Sequence, residues 1–262
     1  MKPCTIFTIA NQKGGTAKTT TATNLGFAMA NAGKRVLLVD FDPQANLSMS
    51  FGIEHPDKLA MPMHQILSMI ISGDVLPDKS EYILPGEKLD IIQCNSNLTV
   101  TEVNLRNEIG AERTLHELLE PLRPFYEYII IDSNPYLGLL TINALAACDK
   151  VIIPVSPQYW SATGLSDLMK TIIRVGERIN PRISVDGILM TMCDERTTLF
   201  RAAKEMIEEF CAGKMKIYSS VIPNSVKIGM ANYSSDNIMD FAPRTKAAKA
   251  YKSFADEVMG NE

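Results

Sequence analysis

The sequence predicts an α/β fold: a doubly wound, mostly parallel sheet flanked by helices. Short apolar, β-branched runs alternate with helical stretches along the chain, which is the order that builds β-α-β units. Several of these runs are apolar without alternation. We therefore expect both of their faces to be buried, as in a parallel sheet covered by helices.

Each predicted element follows from its local pattern. The strands are short runs rich in Val, Ile and Leu, and the helices are longer stretches with helical spacing of apolar residues, the first of them ended by Gly33. The predicted strands are residues 5–9, 35–39, 89–93, 128–131, 151–155, 185–190 and 217–222. The predicted helices are residues 18–32, 63–72, 112–122, 139–147, 162–179, 199–210 and 245–258.

Length and composition favour one globular domain over residues 1–262. Hydrophobic residues make up 46% of the chain and charged residues 21%, which is typical of a folded domain rather than a disordered or fibrous chain. The five cysteines are far apart without a CxxC pair, and the three histidines are isolated. These spacings argue against a zinc or iron–sulfur site, a disulfide framework and a Ser-His-Asp triad.

The sequence gives no targeting signal. The apolar run at the N-terminus stops at Ala10, which is too short for a signal peptide, and no stretch approaches the roughly 18 apolar residues of a membrane span. We therefore expect a soluble, cytoplasmic protein. The net charge is −4, yet residues 196–252 hold 10 Lys and Arg against 5 Asp and Glu. A local basic face would give this count, and so would ordinary solvated helix surfaces.

The loop between the first strand and the first helix carries the strongest motif. It reads, in order, Lys13, Gly14, Gly15, Thr16, Ala17, Lys18, Thr19 and Thr20. Glycines in such a loop let backbone N–H groups turn toward phosphate oxygens, and the following helix adds its positive end. Lys18 would reach the β- and γ-phosphates, and the Thr19 hydroxyl would bind Mg²⁺. The motif predicts a P-loop site for ATP and Mg²⁺.

Two further motifs place carboxylates at the same site. Asp40 and Asp42 come at the end of the second predicted strand, and Asp132 ends the apolar run at residues 128–131. The carboxyl ends of parallel strands line the ligand crevice of an open α/β sheet. An acid at the position of Asp132 would hold Mg²⁺, usually through water, opposite the P-loop threonine. The predicted chemistry is phosphoryl transfer to water.

Residues 11–24, NQKGGTAKTTTATN, resemble the deviant Walker A motif of the ParA/MinD ATPases, in which an additional lysine precedes the two glycines. Residues 137–145, 153–168, 188–197 and 243–251 are similar to Soj-type partition proteins. The resemblance implies a P-loop NTPase in which Lys13 reaches the partner's nucleotide across a dimer interface and Asp42 positions the attacking water. It makes Asp40 the acid near the Mg²⁺ hydration shell and Asp132 the Walker B acid.

The resemblance also implies partners. Relatives form an ATP-dependent homodimer, bind nonspecific DNA through arginines near the positions of Arg196 and Lys227, and hydrolyse ATP slowly until a ParB-like centromere-binding protein stimulates them. We therefore expect a role in DNA segregation and association with the nucleoid. Lys227 keeps the positive charge but lacks the guanidinium fork, so weaker, salt-sensitive DNA binding is expected.

Three alternatives remain open. Ala17 stands where the family usually has Gly, and its methyl group would crowd the phosphates or oppose a positive φ angle, whereas a helical φ would accommodate it. A scaffold with impaired nucleotide binding is therefore one alternative. A MinD-like membrane-positioning ATPase would need an amphipathic C-terminal helix with a bulky apolar face, and the tail has only a thin apolar stripe. Metabolic enzymes such as dethiobiotin synthetase share the predicted fold.

Overall fold

Eight strands within the described residues, 3–106 and 108–260, form one sheet in the computed structural model. In chain order they are β1 (Thr5–Ile9), β2 (Val36–Phe41), β3 (Ile83–Leu84), β4 (Asp90–Ile92), β5 (Tyr128–Ser133), β6 (Lys150–Val155), β7 (Ser184–Cys193) and β8 (Ile217–Pro223). Across the sheet the order is β3-β4-β2-β5-β1-β6-β7-β8. Neighbouring strands are parallel except β3 and β4, which are antiparallel.

Helices cover both faces of the sheet. In chain order they are α1 (Lys18–Asn31), α2 (Asn46–Ser50), α3 (Met63–Ser72), α4 (Leu98–Leu105), α5 (Thr114–Leu119), α6 (Leu139–Ala147), α7 (Ala162–Arg178), α8 (Thr198–Cys211), α9 (Val226–Tyr233), α10 (Ile238–Phe241) and α11 (Lys246–Met259). Buried side chains of α1, α2, α9, α10 and α11 form one core, and those of α3 to α8 form the other. The predicted doubly wound, mostly parallel sheet flanked by helices is confirmed.

The centre of the sheet fixes where a ligand can bind. Strand β1 lies between β5 and β6, and the helices that follow β1 and β5, α1 and α6, pack on opposite faces. The strand order reverses here, and such a switch point opens a crevice beyond the carboxyl ends of the strands. The loop after β1 lies at this crevice.

The predicted elements are present, and the structure adds five short ones. Helices α3 and α6 have the predicted bounds, whereas the prediction for residues 112–122 was too long, because α5 is flanked by 3₁₀ turns. Strand β3 and helices α2, α4, α9 and α10 were not predicted. Helix α4 buries Leu98 but exposes Val100 and Val103, so it has no clear apolar stripe. Helix α9 contains Gly229, a residue that disfavours helices.

The C-terminal helix α11 packs on the protein's own core. Tyr251 and Phe254 have no exposed surface, and α11 contacts α1 and β8. The thin apolar stripe predicted for the tail is therefore used in internal packing. In the described part of the chain, no helix combines the length and the apolar character needed to cross a membrane.

Candidate functional site

The loop after β1 forms a preshaped turn at the mouth of the crevice. Gly15 and Ala17 both have positive φ angles, +73° and +63°, and helix α1 begins at the next residue, Lys18. A left-handed conformation costs an L-residue about 1–2 kcal/mol. Ala17 therefore adopts, at a cost in strain, the left-handed conformation that glycine would adopt freely, and α1 begins directly after it.

Lys18 lies under this loop, where it is 8% exposed. Its Nζ atom donates a hydrogen bond to the backbone oxygen of Lys13, at 3.1 Å, and this bond closes the loop over the lysine. Burial lowers the pKa of Lys18, while the negative charges of Asp132 and Asp42 act in the opposite direction. The predicted P-loop lysine is thus held at the centre of the site, close to two of the predicted acids.

Asp40 and Asp132 face each other at the ends of β2 and β5. They are register partners in the parallel pair, and neither has exposed surface. The Asp40 carboxylate accepts hydrogen bonds from the backbone N–H and the hydroxyl of Ser48, at 2.8 and 2.7 Å. Neither oxygen of Asp132 has a partner in good hydrogen-bond geometry among the described residues, although the Thr19 hydroxyl lies close enough to lower the pKa of Asp132. One acid is therefore held in place, and the other keeps its oxygens available.

Burial changes the proton affinity of both acids. It raises the pKa of Asp40 to about 7, although the hydrogen bonds from Ser48 oppose the rise. It raises the pKa of Asp132 well above its usual range, and the negative charge of Asp40 adds to the effect. Two neighbouring buried carboxylates are costly to ionise, and the charge of Lys18 offsets only part of that cost. This arrangement favours a bound cation.

Asp42 lies nearer the surface and lines a cavity of about 730 Å³. Its Oδ1 atom accepts a hydrogen bond from the backbone N–H of Gln44, at 3.0 Å, and its side chain is largely buried. The cavity is lined by Gly14, Gly15, Thr16, Ala17, Lys18, Thr19, Thr20, Thr23, Asp42, Gln44, Asn46, Met49, Ser50, Pro135, Asn232, Tyr233 and Ser235. The whole predicted loop except Lys13 therefore borders one cavity together with Asp42.

A second cavity of about 300 Å³ begins on the other side of the same loop. Gly15, Ala17, Thr20 and Asn232 border both cavities. The remaining lining residues come from the ends of β7 and β8, the loop after β8, and helices α9 and α11. They are Met192, Ile222, Pro223, Asn224, Ser225, Ile228, Gly229 and Tyr251, and most of them are apolar. The site thus combines a polar cavity with a smaller, more apolar one.

Lys13 takes a different direction from Lys18. Its side chain is exposed, and its Cε atom lies 3.7 Å from the position that a Cβ at Gly164, in the first turn of α7, would occupy. It does not border the larger cavity of its own chain. This placement leaves its ammonium group accessible at the rim of the site.

Arg196 and Lys227 lie at neighbouring strand ends. Cys193 and Pro223 are register partners in the parallel pair β7 and β8, and the N–H of Asn224 donates to the oxygen of Cys193 at 2.9 Å. The loops that follow these strands are therefore adjacent, and both basic side chains are exposed. The structure brings them to the same edge of the sheet as the site.

Sequence reasoning missed three residues that shape the site. Ser48 holds Asp40, Asn232 donates to the Thr20 hydroxyl at 3.4 Å, and Tyr233 borders the larger cavity although it is 93% exposed. Ser48 follows Asp40 by eight positions, closely enough to have been considered. Asn232 and Tyr233 come from α9, and no local pattern connects that helix to the P-loop.

The buried Asp40 gives a testable consequence for stability. Because its pKa rises from 3.8 to about 7 on folding, the folded protein binds the proton more tightly than the unfolded chain. Stability should therefore fall as the pH rises from about 4 to about 7. We expect Asp40→Asn, which keeps an oxygen for Ser48, to raise the free energy of unfolding at pH 8 by about 1–4 kcal/mol.

Urea unfolding without nucleotide or Mg²⁺ measures this effect, and at pH 5 the gain should be clearly smaller. Asp74→Asn is the matched control, since Asp74 is exposed and its replacement should change stability by less than about 0.5 kcal/mol. An Asp40→Asn variant that is less stable than the wild type at both pH values would contradict the prediction.

The chain is similar to known proteins over nearly its whole length. The model of a family described as an AAA domain matches residues 4–185. The sporulation initiation inhibitor protein Soj of Bacillus subtilis is 40% identical over 261 residues, which covers 98% of each chain. The chromosome partitioning protein ParA of Caulobacter vibrioides is 36% identical over 265 residues, 99% of this chain and 96% of that protein.

Solved structures agree with the fold. A cobyrinic acid a,c-diamide synthase from Mycobacterium smegmatis, solved with ADP and magnesium, is 32% identical, with a TM-score of 0.83 over 98% of this chain and 94% of that one. McdA of Cyanothece in an ATP complex has a TM-score of 0.85 over 100% of this chain and 98% of that one, at 20% identity. From the identity to Soj and ParA over almost the entire chain, this protein belongs to the ParA/Soj family of partition ATPases.

Proposed function

We propose that this protein is an ATP-driven switch for DNA segregation: ATP and Mg²⁺ close a homodimer, the dimer binds DNA without sequence preference, and hydrolysis releases it. The observation that carries the proposal is that the P-loop, Lys18 and Asp42 border one cavity. The buried pair of acids ends the adjacent strands beside it, close enough for Asp132 to act on the charge of Lys18. ParA of Caulobacter vibrioides, at 36% identity, is a chromosome partitioning protein by name, which supports the same assignment.

The P-loop would hold the phosphates. The backbone from Gly14 to Thr20 borders the cavity at the N-terminus of α1, where N–H groups and the helix dipole favour anions. Lys18 would neutralise the β- and γ-phosphates. The smaller cavity beside Thr20, with the apolar residues Met192 and Ile228, suits the base and leaves the phosphates on the polar side.

A magnesium ion fits the residues present. The two Asp132 oxygens without firm hydrogen-bond partners lie near Lys18 and Thr19 of the P-loop, and Thr19 borders the larger cavity. Thr19 would bind the ion directly, while Asp132 and Asp40 would hold its water ligands, an arrangement usual for Mg²⁺ with phosphates. When bound, the ion supplies positive charge that offsets the charge on the phosphates.

Asp42 would orient the attacking water. Its Oδ1 atom is occupied by the Gln44 N–H, which fixes the carboxylate and leaves Oδ2 to accept a proton from water. The water oxygen forms a bond to the γ-phosphorus as the bond to the bridging oxygen breaks, and the products are ADP and phosphate. Lys13, exposed at the rim, would reach the phosphates of the second copy and neutralise charge there, so the site would be complete only in the dimer.

Arg196 and Lys227 would provide the DNA contact. They lie at adjacent strand ends on the same edge as the nucleotide site, and phosphate contacts from such side chains are independent of sequence and weaken with salt. A ParB-like DNA-bound protein is the proposed partner that stimulates the slow hydrolysis. DNA binding of this kind would place the protein on the nucleoid.

A metabolic synthase is the second candidate, favoured by the 32% identity to a protein named cobyrinic acid a,c-diamide synthase. A synthase consumes ATP only with its carboxylate acceptor, whereas the switch hydrolyses ATP when DNA and a partner are present. The higher identity to Soj favours the switch.

The switch predicts linked changes in mass and DNA binding. With ATP and Mg²⁺, the wild type should elute as a dimer in size exclusion and bind nonspecific DNA; with ADP it should do neither. In Asp42→Ala, the ATP-bound dimer should stay on DNA for much longer, because the rate of hydrolysis falls by about 10²-fold or more. Lys13→Ala should bind ATP but stay monomeric.

Asp74→Ala, an exposed acid outside the site, serves as the control and should behave as the wild type does. If ATP changes neither the mass nor the DNA affinity of the wild type, the switch is excluded for this chain.

Ala17 allows a separate prediction about the P-loop. Because its backbone already has the left-handed conformation, the N–H groups keep their direction and the strain is present with or without nucleotide. We expect Ala17→Gly to change the ATP dissociation constant by less than about threefold. The variant should gain at most about 1 kcal/mol of stability, since relief of strain is partly offset by unfolded-chain entropy.

Isothermal titration calorimetry with ATP and Mg²⁺, together with urea unfolding, tests both parts. A much tighter ATP complex in Ala17→Gly would mean that the methyl group obstructs the phosphates, and it would support the impaired-scaffold alternative.

A further inference from the structure

The turn after β7 contains an unusual pairing of neighbours. Both carboxylate oxygens of Asp194 accept from the guanidinium of Arg196: Nε donates to Oδ1 and Nη2 to Oδ2, each at 2.9 Å. The backbone N–H of Arg196 also donates to Oδ1, at 3.2 Å. Asp194 thus fixes both the backbone and the side chain of the arginine two residues later.

This pairing occupies only one side of the guanidinium group. Arginine carries five N–H donors in a planar fork, and Asp194 uses the side formed by Nε and Nη2. Three N–H groups remain, including the pair on Nη1, and they form the end of the fork that suits a phosphate. The Arg196 side chain is 89% exposed, so this end is accessible to solvent.

The turn itself is held by further bonds. The oxygen of Asp194 accepts from the N–H and the hydroxyl of Thr197, at 3.1 and 2.8 Å. The Thr197 hydroxyl in turn accepts from the N–H of Phe200, at 3.2 Å, and caps α8. Arg201 donates to the oxygen of Arg196 at 3.4 Å. The pairing is therefore built on an ordered turn at the start of a helix.

We infer that Asp194 is a positioning residue for DNA binding: it holds the Arg196 guanidinium so that its free end points outward for a DNA phosphate. The inference rests on the proposed DNA-binding function. Electrostatic repulsion acts in the opposite direction, since the negative charge of Asp194 repels a DNA phosphate bound nearby.

Two opposing magnitudes decide the sign. The repulsion between the Asp194 carboxylate and a DNA phosphate beyond the guanidinium is weak in water, and salt screens it further. Ordering a free arginine side chain carries a larger entropic cost, and the pairing removes part of that cost before DNA arrives. The net effect of Asp194 should favour binding.

The test compares two charge-equivalent variants of the full-length protein. Asp194→Asn and Glu195→Gln each remove one negative charge from the same turn, and Asn still offers an oxygen to the Arg196 N–H. Glu195 is exposed, and no hydrogen bond or ion pair joins it to Arg196 in the described residues. DNA affinity is measured at fixed salt with a slowly hydrolysed ATP analogue and a random-sequence duplex.

We expect Glu195→Gln to bind DNA as tightly as the wild type or more tightly, and Asp194→Asn to bind about 3- to 10-fold more weakly than Glu195→Gln. Nucleotide-dependent dimerisation, followed by size exclusion, should be the same in both. If Asp194→Asn binds as tightly as Glu195→Gln, the inference is wrong.

Arg196→Lys distinguishes positioning from a purely structural role of the turn. Lysine keeps the charge but has no fork, so Asp194→Asn and Glu195→Gln should differ by less than about twofold in this background. An undiminished difference would overturn the inference. If Arg196→Ala binds DNA as tightly as the wild type, the inference is wrong but the proposed function stands. If the wild type binds no DNA at all, both the inference and the proposed function are wrong.

Discussion

Two carboxylates side by side in the middle of the sheet constrain the rest of this structure. Asp40 and Asp132 lie at the ends of adjacent parallel strands without exposed surface, in a setting where ionised groups are expensive. Lys18 provides positive charge nearby but is itself desolvated. A core selected for stability alone would place apolar side chains at these positions. The cost is understandable if the pair binds a cation.

The two acids are not equivalent, and the difference comes from Ser48. Its N–H and hydroxyl both donate to one oxygen of Asp40, while its own oxygen accepts from the N–H of Cys94 at 2.9 Å. Asp40 is thereby tied to α2 and to the chain segment after β4. Asp132 has no such support within the described residues. Ser48 thus holds the Asp40 carboxylate in place, while the Asp132 oxygens remain available to a ligand of the P-loop.

A site residue could be predicted from the sequence where a local motif marks it. The P-loop, Asp40, Asp42 and Asp132 could be placed because parallel strands bring their carboxyl ends to one edge, so motifs far apart in sequence meet without further information. Asn232 could not, because its helix, α9, has no clear pattern and reaches Thr20 across 212 positions. The sequence also left the backbone of Ala17 undecided, since a φ angle depends on how the loop is closed.

The nucleotide site and the basic turn are close neighbours in the structure. The Thr191 hydroxyl, on β7, donates to the backbone oxygen of Thr16 at 3.0 Å, and both residues are buried. Met192 follows with a positive φ angle of +54°, and the Asp194 turn begins two residues later. Any displacement of Thr16 in the P-loop must therefore either carry Thr191 with it or break a buried hydrogen bond, which costs about 1–3 kcal/mol. Only five positions separate Thr191 from Arg196, so the phosphate loop and the basic turn are joined by contacts that are physically continuous.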